Sequence, residues 1–152
     1  MVRCKMIMMR PAGVLLKRLM PISFVEAQEV IKNWHKGTLP KHFKNKAFSD
    51  YGYKKRTKSY QKYKDKKHLG PLVFSGKSRD ILKAAIRLGG TPKKVTGAMS
   101  APRYFWMKPA NQPNKPLEIV TTTKKEREDM AEELKRRVTK RLNYIEPEPM
   151  VI

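Results

Sequence analysis

The side chains that usually catalyse reactions or bind metals are few and scattered in this sequence. His35, His42 and His68 lack the spacing of an HExxH-type zinc site, and no acid lies in register with them. The single cysteine, Cys4, excludes an internal disulfide and a cysteine-based zinc site. We therefore predict no enzymatic activity, no bound metal and no cofactor. We interpret the three histidines as ordinary polar residues of a lysine-rich surface.

The charge of the chain indicates a polyanionic partner. Its 152 residues include 35 Lys or Arg and 13 Asp or Glu, which gives a formal net charge of +22 and a pI of about 10.3. The excess is concentrated in residues 41–68, where 11 basic and two acidic residues give a net charge of +9. Six aromatic residues lie among these lysines, namely Phe43, Phe48, Tyr51, Tyr53, Tyr60 and Tyr63.

Two interpretations of this basic segment are physically sound. Lysine and arginine neutralise phosphates and release counterions, and aromatic rings can stack on exposed bases. Alternatively, lysine stems cover apolar surface while the tyrosines pack a thin core beneath them. No RNA-recognition signature or zinc-finger spacing is present, so we predict phosphate contact without sequence readout. The candidate nucleic-acid-facing residues are Lys41, Lys44, Lys46, Lys54, Lys55, Arg56, Lys58, Lys62, Lys64, Lys66 and Lys67.

Two amphipathic helices are predicted to flank the middle of the chain. Ser23 and Glu26 fit a capping box for a first helix over 24–37, which Gly37 would end. Thr123 and Glu126 fit a second capping box, before a proline-free helix that extends to Asn143. Apolar residues recur every four positions along this second helix and predict a buried stripe. They are Met130, Leu134, Val138 and Leu142.

The segments between these helices predict a small antiparallel sheet. Residues 84–88 and 93–100 flank the Gly-Gly-Thr-Pro turn at 89–92 and predict a hairpin. The aromatic run 103–107 is either a third strand or a packing anchor. Further strands are predicted at 72–74 and 117–120, and short helices at 60–67 and 77–85.

The predicted fold class is α+β, a small antiparallel sheet packed against an N-terminal and a C-terminal helix, with extended basic arms. A single domain would span 22–143, with 41–68 as a basic insertion. Residues 1–21, basic and apolar without an acid, are interpreted as an arm, and a targeting peptide is the alternative. Residues 144–152 form a tail in which two prolines prevent the second helix from continuing. No apolar run is long enough for a transmembrane helix, so no membrane partner is predicted.

Residues 71–82 carry a family resemblance. They read Pro-Leu-Val-Phe-Ser-Gly-Lys-Ser-Arg-Asp-Ile-Leu and follow the basic, tyrosine-containing stretch. This order resembles the tailed-phage virion morphogenesis proteins, also called tail-completion or head–tail neck proteins, and the resemblance extends over roughly residues 24–143. It implies an aromatic strand at 103–106, a closing strand at 116–120 and a terminal helix at 123–142. Independently of the family, Gly76 suits a sharp turn at positive φ, and Arg79 with Asp80 would face outward or across an interface. The residues that carry the motif are Pro71, Leu72, Val73, Ser75, Gly76 and Arg79.

The resemblance implies a structural role in a virus particle. It predicts a homo-oligomeric ring, expected to be hexameric, that completes the tail or joins it to the head connector around the DNA channel. Its partners would be connector or adaptor proteins, tail-tube or terminator proteins, and packaged DNA bound without sequence preference. The protein would be assembled in the host cytoplasm and located in the virion, with residues 1–20 and 144–152 gripping neighbouring subunits. The alternative is a ribosomal or other ribonucleoprotein component, and a third hypothesis, a nuclease, lacks acidic metal ligands.

Overall fold

The structure is a computed structural model of the 152-residue chain that describes residues 2–7, 15–54, 56–70, 72–73, 76–106 and 114–144. Its α+β architecture, in which two long helices accompany a small antiparallel sheet, confirms the predicted fold class. The helices are α1 (Leu15–Gly37), a 3₁₀ helix (Leu39–Phe43), α2 (Ala47–Asp50), α3 (Lys58–Lys66), α4 (Lys77–Ala84), α5 (Arg103–Trp106), α6 (Lys115–Ile119) and α7 (Lys124–Asn143). Within these described ranges, no helix is long and apolar enough to cross a membrane.

The sheet has three antiparallel strands in the order β1-β3-β2. They are β1 (Val2–Ile7), β2 (Ile86–Thr91) and β3 (Lys94–Met99). β2 and β3 form the predicted hairpin, with Ile86 opposite Met99 and Thr91 opposite Lys94, so the turn falls at Pro92 and Lys93. The central strand β3 is thus paired on both sides.

Where the structure describes the segment interpreted as an arm, at 2–7 and 15–21, its residues belong to the sheet and to α1, and residues 1 and 8–14 lie outside the described residues. Val2–Ile7 pairs with β3 along its whole length, from Val2 opposite Met99 to Ile7 opposite Lys94. The free edge of a two-stranded hairpin leaves backbone donors and acceptors without partners, and β1 satisfies them. Helix α1 also begins at Leu15 rather than at 24, so Ser23 lies inside the helix and does not cap it.

Two predicted strands are short helices instead. The run 103–107 contains α5, whose Phe105 N–H donates to the carbonyl of Pro102 at 2.9 Å. Phe105 is buried, which confirms the alternative role of a packing anchor. The predicted strand at 117–120 belongs largely to α6, which has Pro116 in its first turn, where a missing N–H costs nothing. Leu72 and Val73 lie in a turn, with φ of 59° at Leu72, and not in a strand.

The core lies between α1 and the sheet. Val95, Gly97 and Met99 form the buried face of β3. A Cβ atom at Gly97 would lie 2.9 Å from Cγ2 of Ile31 and 2.6 Å from Cδ1 of Ile86, closer than side chains approach each other. Glycine at this position therefore lets α1 lie close to the sheet.

The last helix, α7, covers this core from outside. Its predicted capping box is present, because Thr123 Oγ1 accepts from the Glu126 N–H at 3.1 Å and the Glu126 carboxylate accepts from the Thr123 N–H at 3.0 Å. The predicted stripe is half-buried rather than buried, with Met130 against the main core and Leu134 against Ala27, Ile31 and Val95. Helix α7 thus packs over α1 and the sheet and completes the core.

The short helices predicted at 60–67 and 77–85 are confirmed as α3 and α4.

Candidate nucleic-acid interface

Most of the predicted nucleic-acid-facing lysines form one exposed, cationic stretch of the chain, here called the basic platform. They lie on the 3₁₀ helix, at the entrance of α2, on the loop after it, and on α3 and its end. Lys55 lies outside the described residues. The exposed members that define the basic platform are Lys41, Lys44, Lys46, Lys54, Lys58, Lys62, Lys66 and Lys67.

The segment that carries the basic platform also contributes His42, Tyr51 and Tyr53 to a buried aromatic cluster. The His42 ring stacks on Tyr51 with centroids 3.8 Å apart and contacts the edge of Trp34 at 5.9 Å. His42 Nδ1 forms a close hydrogen bond with the hydroxyl of Tyr53, and the Tyr51 hydroxyl donates to Glu126 at 2.6 Å. Tyr51 and Tyr53 are both buried, so their rings are committed to this cluster and do not offer a stacking surface to a base.

Burial sets the protonation of these aromatic side chains. It lowers the pKa of His42 to about 4, with a smaller contribution from the charge of Lys41, so the ring is neutral at pH 7. Burial likewise raises the pKa of the Tyr51 hydroxyl, an effect to which the carboxylate of Glu126 adds, and raises the pKa of Tyr53. The three rings under the platform are therefore uncharged at neutral pH.

The interpretation of the histidines as ordinary surface residues was wrong for two of them. His42 is fully buried, and His35 is 4% exposed with its Nε2 2.8 Å from the carbonyl oxygen of Leu82. Only His68 is exposed, in a turn with φ of 52°. The aromatic and backbone partners of the buried rings come from distant parts of the chain, which a lysine-rich local sequence does not reveal.

Arg56 is a structural residue, contrary to its prediction as a nucleic-acid contact. Its two terminal nitrogens donate to the carboxylate of Glu118 at 3.1 and 2.7 Å, and both side chains are nearly buried. Glu118 also accepts from the Lys54 N–H at 3.2 Å. The pair fastens the loop before α3 to α6, so the Arg56 charge is neutralised within the fold.

Lys64 is likewise inside the fold, and its prediction as a surface contact was wrong. The residue is 2% exposed, and its ammonium donates to the carbonyl of Gly70 at 2.7 Å. The ammonium also lies 5.4 Å from the centre of the Tyr60 ring. Burial, with the nearby charges of Arg56 and Lys115, lowers the pKa of Lys64 to about 8. The residue holds the end of α3 to the following loop.

The motif that carries the family resemblance lies at a turn into α4. Gly76 has φ of 84° and is the N-cap position of this helix, which agrees with the predicted need for glycine. Val73 is buried in the main core, and Arg79 is exposed beside Asp80, 3.0 Å from its carboxylate. Pro71 and Ser75 lie outside the described residues.

A second cationic surface, on the last turns of α7, was missed by sequence reasoning. Arg141 donates to Glu26 at 2.8 Å, and Arg137 donates to Glu133 at 2.8 Å. Around them Lys135, Arg136 and Lys140 are exposed and form no ion pair with any described residue. The spacing of these residues places them on adjoining faces of one helix, and this pattern is the signal that could have identified them.

An open groove of about 610 Å³ adjoins the basic platform between α2 and α3. The rings of Phe48 and Tyr53 line it in an edge-to-face arrangement with centroids 6.3 Å apart. Lys58 and Lys62, four residues apart on α3, line it as well. We call this feature, lined by Phe48, Tyr53, Arg56, Lys58, Lys62 and Asp65, the aromatic groove.

The chemistry available at these surfaces is electrostatic binding. Among the described residues there is no group of three or more His, Cys, Asp or Glu side chains placed to hold a metal ion. The exposed lysines can neutralise phosphates, and their long stems adapt to many geometries.

No protein-family model matches the chain, and no curated protein or solved structure matches it.

Proposed function

We propose that this protein is a non-enzymatic structural protein of a tailed-phage particle, a ring at the head–tail neck whose basic platform faces the DNA. The observation that carries the proposal is the basic platform itself. Among the described lysines of residues 41–67, eight are exposed, while Tyr51, Tyr53 and the segment's one arginine are turned into the fold. What the platform offers a partner is mainly positive charge.

The chemistry of the platform fits a sequence-independent contact with DNA. Lysine is a flexible point charge, whereas bidentate arginine is the side chain that most often reads guanine. Arg56 is the only arginine in residues 41–68, and Glu118 occupies its guanidinium. The surface is dominated by lysines, with Tyr63 partly exposed among them beneath the Lys67 ammonium. Such a surface attracts the phosphate backbone equally on any sequence.

The place in the virion rests on the resemblance of residues 71–82 to the tail-completion proteins. The turn at Gly76 and the exposed pair of Arg79 and Asp80 support a scaffold role for this motif. The proposed partners remain a second copy of the chain, the connector and tail proteins, and packaged DNA.

Two measurements on the purified full-length chain test this proposal. Light scattering and negative-stain microscopy are expected to show a closed ring of defined mass. Binding to duplex DNAs of unrelated sequence is expected to be equal and to weaken steeply with salt. A monomer that binds a structured ribosomal RNA far more tightly than duplex DNA would instead support the ribonucleoprotein alternative, and metal-dependent cleavage of the DNA would overturn the non-enzymatic role.

A further inference from the structure

The aromatic groove combines an apolar wall with an excess of positive charge. Phe48, half-buried, and the edge of Tyr53 supply the apolar surface. Lys58 and Lys62 are exposed on one face of α3, and neither forms an ion pair with any described residue. Arg56 also lines the groove, but its charge is paired with Glu118. Asp65 lines it too and accepts from the Gln61 side chain at 2.8 Å, so the two lysines and this carboxylate leave the groove a net charge of +1. The groove therefore suits a ligand that is both apolar and acidic.

One segment of this chain has that composition. Residues 145–152 read Ile-Glu-Pro-Glu-Pro-Met-Val-Ile, with two acids, no base and four large apolar residues. Residues 126–133 are more acidic, with a net charge of −4, but they lie within α7 and include one large apolar residue, Met130. Residues 145–152 instead combine a net charge of −2 with four large apolar residues, so they complement both the cations and the apolar wall of the groove. Glu146 and Glu148 are spaced two residues apart, followed by the apolar residues 150–152.

The groove and residue 144 lie toward opposite ends of α7. The Tyr51 hydroxyl bonds Glu126 in the first turn of α7, and Tyr53 lies 5.9 Å from Tyr51 between ring centres. Eighteen residues separate Glu126 from Tyr144, which at 1.5 Å per residue is about 27 Å along the helix. From Tyr144 the fully extended chain reaches at most about 7 Å to Glu146 and about 14 Å to Glu148. The acidic part of the segment therefore falls short of the groove of its own chain.

We propose that residues 145–152 of one copy dock in the aromatic groove of a second copy. Glu146 and Glu148 lie against Lys58 and Lys62, and residues 150–152 cover Phe48. This proposal rests on the self-association in the proposed function and names the contact that produces it. Burying the apolar end of the segment supplies the affinity, and the paired charges fix its direction.

A charge exchange on the full chain tests this docking. The variants are Lys58→Glu with Lys62→Glu, Glu146→Lys with Glu148→Lys, and the combination of all four, which keeps the wild-type net charge. Each pair alone is expected to weaken self-association at least tenfold, measured by light scattering over a concentration series, and the combination to restore it. Lys83→Glu with Lys93→Glu is the matched control, because both lysines are exposed and lie outside the groove and the basic platform, and it is expected to leave association unchanged. Thermal melting of each variant checks that it is folded.

A peptide of residues 144–152 provides a readout that does not depend on ring formation. Labelled peptide is expected to bind the Glu146→Lys, Glu148→Lys chain, whose groove is intact, and to bind at least tenfold more weakly when Lys58 and Lys62 are also changed. Absence of peptide binding, or binding indifferent to these lysines, overturns the docking. Rings that persist in both charge-reversal pairs also overturn it while leaving the proposed function standing. Loss of single-stranded DNA binding in the Lys58→Glu, Lys62→Glu chain with association intact would assign the groove to nucleobases instead.

Discussion

Both terminal nitrogens of Arg56 donate to the two carboxylate oxygens of Glu118, 62 residues later in the sequence. The side chains are 8% and 10% exposed, so the pair lies almost entirely out of water. The pair links the loop before α3 to helix α6, and it thereby holds part of the basic platform in place. An arginine in a lysine-rich stretch acts here as a structural link.

Replacing Glu118 with Gln is expected to destabilise the protein by about 3 kcal/mol. The change leaves the Arg56 guanidinium buried without its counter-charge, and breaking one side of a buried pair costs about 3–5 kcal/mol. Urea denaturation followed by circular dichroism measures the change in unfolding free energy. Glu132→Gln, an exposed position on α7, is the matched control and is expected to stay within about 0.5 kcal/mol of wild type. A decrease below about 1 kcal/mol at Glu118 would show that the pair does not hold this loop.

Short sequence motifs are sufficient to predict the helices and strands that neighbouring residues determine. The capping box of Thr123 and Glu126 predicts the start of α7. The turn-forming residues at 89–92 predict the hairpin but misplace its turn, because Gly89 to Thr91 are paired in β2 and the turn lies at Pro92 and Lys93. Strand β1 could not be predicted this way, because its partner β3 is more than 80 residues away in the sequence. The same holds for α5 and α6, where tertiary packing of Phe105 and Ile119 overrides a β-favouring composition.

The sequence predicts which segment forms the cationic surface, but not which of its cations are exposed. Residues 41–68 are the most cationic part of the chain, and most of their lysines are exposed. Which cations are internal depends on distant partners, Glu118 for Arg56 and the Gly70 carbonyl for Lys64. A run of similar lysines cannot indicate which one folds inward, because that depends on tertiary contacts absent from the local pattern.

Removing charge from the platform is expected to flatten the salt dependence of DNA binding. Exchanging Lys54, Lys58 and Lys62 for Gln should lower the slope of log affinity against log salt by up to about 0.9 for each phosphate that is no longer neutralised, equally on all sequences. The slope is measured by fluorescence anisotropy with two duplexes of unrelated sequence. Lys77, Lys83 and Lys93, exposed on α4 and in the hairpin turn, give a control with the same change in net charge. An equal effect in the control would mean that overall charge, and not the platform, governs binding.

Acid is expected to destabilise the protein through His42. The pKa of His42 in the folded chain is about 4, below its ordinary value of 6.5, because of burial. Between these values the unfolded chain binds more protons, so the stabilisation is complete above pH 6.5 and is lost as the pH falls towards 4. The shift corresponds to about 3 kcal/mol.

Unfolding free energies of wild type and of His42→Phe, measured from pH 7 to pH 4, isolate this contribution. Phenylalanine keeps a ring against Tyr51 but cannot be protonated, so the variant is expected to lose less stability over this range. His68→Gln, at an exposed histidine, should follow the wild-type curve. Identical curves for wild type and His42→Phe would contradict the assignment of the acid sensitivity to this ring.

The half-buried stripe of α7 is expected to be essential although none of its residues is fully buried. Leu134 contacts the cluster of Ala27, Ile31 and Val95, so Leu134→Asp places a charge against an apolar surface with no cation assigned to it. We expect a decrease of about 2–4 kcal/mol in unfolding free energy, with partial unfolding at 37 °C. Ala131→Asp introduces the same charge at an exposed position on this helix and should change stability by less than about 1 kcal/mol. Equal melting temperatures for the two variants would mean that α7 contributes little to the core, and the closing role assigned to this helix would then fail.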